Sequence, residues 1–272
     1  MSNMDFLPTS NLLQTPEPST KFWLLFKIAS KARLRQMQKG LIYMNSLDYF
    51  SGLKGEDVFD LRADRFENIH AVLRAGKTTL GHSELWADID GKKFNLGPRA
   101  TLTAKYSDTK NIMLFCMGCL FDGENGKIHG ETSEGLVFDQ RFKEFGDHIL
   151  IIRNSREFSR RYVNAIKNRK GIFKPKHLHK GFGRIEYKNL YSFSGPKGIY
   201  MKDFRFEWQR EFRFALGVED EFLNAQGAYE LRIGDISDIT EISPLNSILE
   251  KTINMKRTPV QQIGDRWFAL KS

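Results

Sequence analysis

Apolar residues follow two periods along this chain. The near-continuous apolar stretch at residues 21–28, Lys-Phe-Trp-Leu-Leu-Phe-Lys-Ile, predicts a buried strand, and Leu-Ile-Tyr-Met-Asn at 41–45 predicts the next. Between them Ser30 stands where a helix would begin, Leu34 and Met37 mark its buried side, and Gly40 is placed to end it. Residues 68–104 read as short strands joined at Gly76, Gly91 and Gly97, a hairpin region. The run 111–120 predicts a central strand, with further strands at 134–137, 148–152, 184–187, 229–240 and 260–270 and a short helix near 244–251. Ser155 is positioned to cap a helix reaching about residue 168, with Phe158, Tyr162 and Ile166 on its buried stripe.

The most informative pattern is Phe-Arg-Phe-Glu-Trp-Gln-Arg-Glu-Phe-Arg-Phe-Ala-Leu at 204–216. As one long strand it would place Phe204, Phe206, Trp208, Phe212, Phe214 and Leu216 on one face and Glu207, Gln209, Glu211 and Arg213 on the other. Strands alternating with few, short helices predict an α+β fold with a split antiparallel sheet and peripheral helices. Residues 21–272 read as a single α+β catalytic domain behind a flexible leader, 1–20, that has three prolines and no Lys or Arg before the first strand.

Composition narrows the picture. The 272 residues are 40% hydrophobic and include 22 Phe, enough apolar material for a sizeable core, which excludes wholesale disorder. Two cysteines, Cys116 and Cys119, are too few for a disulfide framework. No second Cys/His pair accompanies them at zinc-site spacing, so they read as buried structural thiols and no metal is expected. No stretch is long and apolar enough to span a bilayer, and the expected location is the cytoplasm, without a membrane partner.

Charge is concentrated. Of a net +9, residues 153–188 carry twelve basic side chains against Glu157 and Glu186, a local +10 that leaves −1 for the rest. Arg160, Arg161 and Lys167 would face outward from the helix, followed by the basic loop that contains Arg169, Lys170, Lys174, Lys176 and Lys180. Such a surface suits a phosphate backbone, with Phe173 or Phe182 available to stack on bases, and His177 and His179 read as part of it.

Candidate chemistry is sparse. Ala71 to Thr78 ends like a phosphate-binding loop but begins with Ala71 where that loop needs glycine, so it is rejected. The predicted strand would present Gln209 and Glu211 into a cleft, where an ionised carboxylate can bond a sugar hydroxyl and stabilise an oxocarbenium-like transition state. Arg213 or Lys27 would keep Glu211 charged. Glu207 and Glu211 would stand roughly 13 Å apart along a strand, too far for a two-carboxylate glycosidase. Tyr43 and Ser46 leave the end of a core strand, and Arg62, Asp64 and Glu67 follow; the two acids could equally start a helix or hold Mg²⁺ in a nuclease.

Taken in order, Phe26-Lys-Ile, Gly40-Leu-Ile-Tyr-Met-Asn-Ser-Leu-Asp-Tyr-Phe, Arg62-x-Asp-x-x-Glu67, the strand with Phe115-Cys116 and Glu207-Trp-Gln-Arg-Glu-Phe-Arg resemble a little-described bacterial domain family. The same order resembles the ADP-ribosyltransferase superfamily, in its toxin and phage-defence branches that modify nucleic acids. The resemblance implies an ADP-ribosyltransferase-like fold and mono-ADP-ribosyl transfer from NAD to RNA or DNA, in a toxin or antiviral effector restrained by an inhibitor protein. It implies Glu211 as the catalytic glutamate, Gln209 as its companion, and Lys27, Tyr43, Ser46 and Arg213 around NAD. A non-catalytic nucleic-acid binder and a metal-dependent nuclease are the alternatives.

Overall fold

The computed structural model describes residues 22–53, 64–78, 81–122, 128, 130–167, 169–253, 260–263 and 266–269; the expected leader 1–20, Arg62 and most of the polar stretch before Asp64 lie outside them. In chain order the main elements are β1 (Phe22–Ala29), α1 (Lys31–Gln38), β2 (Leu41–Ser46), α2 (Leu47–Gly52), β3 (Ile69–Arg74), β4 (Thr101–Lys105), β5 (Ile112–Phe121), β6 (His148–Ile152), α3 (Ser155–Ile166), β7 (Ile172–Phe173), β8 (Phe182–Arg184), β9 (Glu186–Lys188), β10 (Gly195–Pro196), β11 (Met201–Asp203), β12 (Glu211–Val218), β13 (Tyr229–Arg232), β14 (Thr240–Pro244) and α4 (Asn246–Leu249). The class is mixed α+β with a mostly antiparallel sheet and few helices, as the strand-rich pattern predicts.

The main sheet runs β7–β12–β5–β1–β6–β14, with β8 also on β12 and a branch from β5 through β2 to β13. The sheet forks at β5. One edge of β5 is taken by β12, from Glu211 opposite Gly118 to Gly217 opposite Ile112. Its other edge is shared: β1 pairs with the far end, Phe26 opposite Gly118, and β2 with the near end, Asn45 opposite Leu114. Helix α1 joins the two branches and buries Leu34 and Met37. Gly40 ends it with φ +91°, and a Cβ there would stand 2.2 Å from the Gly234 carbonyl oxygen, so both conformation and contact require glycine.

Both faces of the central strands are covered, which explains their continuous apolar runs. On β1, Leu25 joins the larger core, with Phe158 and Tyr162 of α3, while Phe26 and Ile28 join a second core with Phe138, Phe142 and Leu249. A third, smaller cluster of Phe66, Ile69, Val72, Leu190, Phe193 and Met201 lies under the short sheet β10–β3–β4.

The structure differs from the sequence pattern at several points. Residues 204–216 are two elements: a 3₁₀ helix over Phe204–Gln209, then β12. Asp203, wholly buried, caps that helix by accepting from the Arg205 N–H and side chain, and a 3₁₀ turn buries residues three apart, here Phe206 and Gln209. Arg210, in the left-handed region at φ +49°, turns the chain into β12. Helix α3 is capped by Asn154, whose side chain accepts from the Glu157 N–H at 3.0 Å, one residue before the expected Ser155. Residues 134–137 make only isolated bridges, and 184–187 splits into β8 and β9, the latter parallel to β11. The stretch 229–240 divides between β13 and β14, and Val260–Ile263 pairs with Arg266–Ala269 as a separate hairpin.

The cap assignment is testable. Asn154→Ala is expected to cost about 1 kcal/mol and lower the melting temperature by about 2–4 °C, whereas Ser155→Ala leaves it unchanged in thermal circular dichroism. A larger loss at Ser155 would overturn the assignment.

Candidate functional site

At the start of β12, five stretches of chain deliver polar side chains, six of the seven charged, to one buried place. Glu211 and Arg213 come from β12, Lys202 from β11, Gln209 from the end of the 3₁₀ helix, Glu67 and Asp64 from the turn before β3, and Lys197 from the turn after β10. All seven are buried, none more than 8% exposed. The Arg213 guanidinium donates to Glu211 Oε1 from Nε at 2.8 Å and Nη2 at 2.7 Å, to Glu67 Oε1 at 2.6 Å and to the Ile199 carbonyl at 2.6 Å. Lys202 Nζ bridges Glu211 Oε2 at 3.1 Å and Gln209 Oε1 at 2.9 Å. Three acids face three bases, so the cluster is neutral when all are ionised. The Glu211 N–H donates to the Tyr187 hydroxyl at 2.8 Å, which fixes where the residue enters the cluster.

The electrostatics follow from burial and pairing. Burial opposes ionisation of Glu211, but Arg213 and Lys202 outweigh it and hold the carboxyl far below the usual carboxylate range. Burial likewise opposes the Lys202 charge, and Glu211 with Glu67 reverses the effect and raises its pKa. Asp64 and Lys197 are served less well. Burial, then Glu67, raises the Asp64 pKa, and burial lowers that of Lys197. Asp64 Oδ1 accepts from the Phe66 N–H at 2.9 Å, whereas Oδ2 and the nearby buried Tyr106 hydroxyl have no hydrogen-bond partner among the described residues. Tyr106 is held beside this turn through its N–H to the Asn68 carbonyl at 3.0 Å.

The sequence-predicted residues separate into groups. Gln209, Glu211 and Arg213 come together, although the first lies on a 3₁₀ helix rather than on the strand, and Glu207 is exposed. The glycosidase pairing of Glu207 with Glu211 therefore fails because one acid is outside and the other inside. Lys27 projects from β1 at the fork, donating to the Cys116 carbonyl and lying 4.9 Å from the Phe115 ring centroid. Cys116 itself neighbours Glu211, and burial pushes both thiols, Cys116 and Cys119, up to about 12. Three apart on a strand, the two cysteines face opposite sides and are free thiols. Ser46 accepts from the Tyr49 N–H at 3.0 Å and caps α2, while Tyr43 stands 39% exposed on β2 opposite Glu230. Among the described residues, no hydrogen bond or ion pair ties Tyr43 or Ser46 to the Glu211 cluster.

The basic segment is less open than its charge count implies. Arg160 and Arg161 both bond Glu157 at 2.7 Å, and Arg161 also pairs with Asp238 at 2.6 Å, an acid contributed from far along the chain. Lys167, Arg169, Lys170, Lys176 and Lys180 are exposed and Lys174 half-buried; Lys180 lies 4.8 Å over the Tyr200 ring. Phe182 is buried in the main core and Phe173 is half-buried on β7, so neither is a free stacking platform. His177 stacks on His70 of β3, centroids 4.8 Å apart, which anchors the basic loop next to Tyr106.

Lys202 and Lys197 are the residues that sequence reasoning missed. Each is a single lysine in a mixed stretch, with no periodicity to mark it as buried; the usable signal was Asp203, a capping residue that ends β11 and brings Lys202 alongside Glu211.

The pH dependence of stability tests the assignment of Asp64. A raised folded-state pKa stabilises the fold below the ordinary carboxylate pKa, and that contribution is lost as pH rises through the raised value. Glu211 acts oppositely: its contribution is present above the ordinary carboxylate pKa and is lost as pH falls toward its depressed one. Asp64→Asn keeps the Oδ1 acceptor, so its melting temperature is expected to exceed the parent's most at neutral pH, the gap closing on acidification. A gap that is constant with pH would refute the raised pKa. Comparison with protein-family models, with curated proteins and with solved structures finds no match to this chain.

Proposed function

We propose that the Glu211 cluster is the reaction centre of a mono-ADP-ribosyltransferase that moves ADP-ribose from NAD to a single-stranded nucleic acid. The observation that carries the reading is the state of Glu211: a buried carboxylate at the first position of a central strand, kept ionised by Arg213 and Lys202 and flanked by Gln209. A fixed negative charge in a low-dielectric setting is what a developing ribosyl cation requires. In the transfer, the bond from ribose C1′ to the nicotinamide nitrogen breaks with its electron pair leaving on nicotinamide. The acceptor then bonds C1′ and releases its proton. Glu211 stabilises the positive charge between those events, and Gln209 helps place the acceptor. Of the expected NAD-contacting side chains, Arg213 bonds Glu211 and Lys27 lies next to Cys116 at the fork, and the basic loop supplies the acceptor surface. Such an activity suits a toxin or antiviral effector kept in check by an inhibitor protein.

A second reading is favoured by one observation: both Glu211 oxygens already accept bonds from cations. In that reading the cluster is a structural tie and the protein is a nucleic-acid binder. The nuclease alternative is weaker, because Glu67 is bonded to Arg213, and Asp64 neighbours Lys197, cations that compete with a divalent ion.

Incubation with NAD labelled in its adenylate phosphate, together with RNA or DNA, separates the readings. Label on the nucleic acid with release of nicotinamide is expected, and Glu211→Gln should lower the rate by about 100-fold or more while nucleic-acid binding persists. Transfer that survives in a folded Glu211→Gln protein would refute the mechanism; destabilisation of that variant with no label in the parent would favour the structural tie.

A further inference from the structure

A cavity of about 450 Å³ opens where α3 ends, lined by Arg169, Lys170, Phe222, Asn224, Tyr229 and Glu230 among others. Its chemistry is divided. On one side stand Arg169 and Lys170, both exposed and, among the described residues, without an ion-pair partner, unlike Arg160 and Arg161. On another is Phe222, 38% exposed. Its ring lies directly on Gly171, where a Cβ would fall 2.0 Å from it, so the glycine is what lets the ring settle there. Tyr229 of β13 forms a buried floor. The loop across the cavity is held by Asn224, whose Oδ1 accepts from the Gln226 and Ala228 N–H groups at 3.0 Å and whose Nδ2 donates to Glu230 at 3.3 Å. Of the three acids that precede Phe222, Glu219, Asp220 and Glu221, Asp220 is tied to Lys110 at 2.7 Å.

We propose that this cavity receives one nucleotide of a single-stranded nucleic acid, its base on Phe222, its exocyclic amino group toward Glu230 and its phosphate on Arg169 and Lys170. An aromatic face beside two cations is the combination that binds single strands without a duplex groove. A carboxylate across from the ring accepts from the amino groups of adenine, cytosine or guanine and has less to offer uracil, whose corresponding edge carries an acceptor oxygen. The cavity lies past the Val218 end of β12, seven residues and roughly 23 Å along the strand from Glu211, so it would anchor a neighbouring part of the acceptor strand rather than the reacting nucleotide; only that link rests on the transfer reading, and the cavity's binding can be measured without it.

The experiment is fluorescence anisotropy with labelled twelve-nucleotide strands of A, C and U, as RNA and as DNA, across a salt series. Phe222→Ala is expected to weaken binding of the A and C strands by about 10-fold, and Arg169→Ala/Lys170→Ala to weaken it and flatten the salt slope by about 1.4. Glu230→Gln should narrow the difference between C and U. All of these residues lie at the surface except the floor, which is left intact, and unchanged melting temperatures verify the folds. Affinities that are unmoved in both the Phe222 and the Arg169/Lys170 variants overturn the proposal. If these variants lose binding while the parent transfers nothing from NAD, the cavity stands and the transfer reading falls. If the parent transfers ADP-ribose and the variants bind and transfer as it does, the reverse holds.

Discussion

The Arg213 guanidinium is 2% exposed, so water cannot solvate its charge and the protein must. It does so with two carboxylates and a backbone carbonyl, drawn from β12 itself, the turn before β3 and the segment that follows β10. That requirement joins the short sheet β10–β3–β4 to the main sheet at the beginning of β12. A buried pair of this kind need not stabilise more than apolar packing would, but removing one partner leaves a stranded charge that costs about 3–5 kcal/mol. It therefore fixes geometry more than it adds stability, and the geometry it fixes includes the ionised state of Glu211.

The fork in β5 and the cluster are parts of one arrangement. Because β1 and β2 share an edge, the middle of β5 faces a gap between them, and Lys27 supplies the Cys116 carbonyl there with a donor. On the opposite edge the same stretch pairs with Arg213 and lies against Glu211. Charge on one side of β5 and charge on the other are thus one strand apart, separated by the Cys116 side chain and backbone.

Much of the framework was legible in the sequence because its signals were local. Continuous apolar runs gave β1, β2, β5 and β6, and a Ser–Leu–Met–Gly spacing gave α1. The residues of the cluster were half legible: Gln209, Glu211 and Arg213 stood out as polar groups inside an aromatic stretch, though their period of two concealed a 3₁₀ turn that Asp203 initiates. Lys197, Lys202 and Asp238 were not legible in the roles they hold, since each acquires its partner only through long-range folding. The same lack of distance information inflated the basic patch, where a count along the chain cannot see an acid that arrives from 77 positions away.

The Arg213–Glu67 ion pair links side chains 146 positions apart. Contacts of such separation form late, after the entropy of closing a long loop has been met. During synthesis the carboxylates and their cations can meet only once β12 has left the ribosome, by which time the segments that present Glu67 have long been exposed. The cluster is accordingly unformed over most of the chain's translation, and the fold it ties together is completed late.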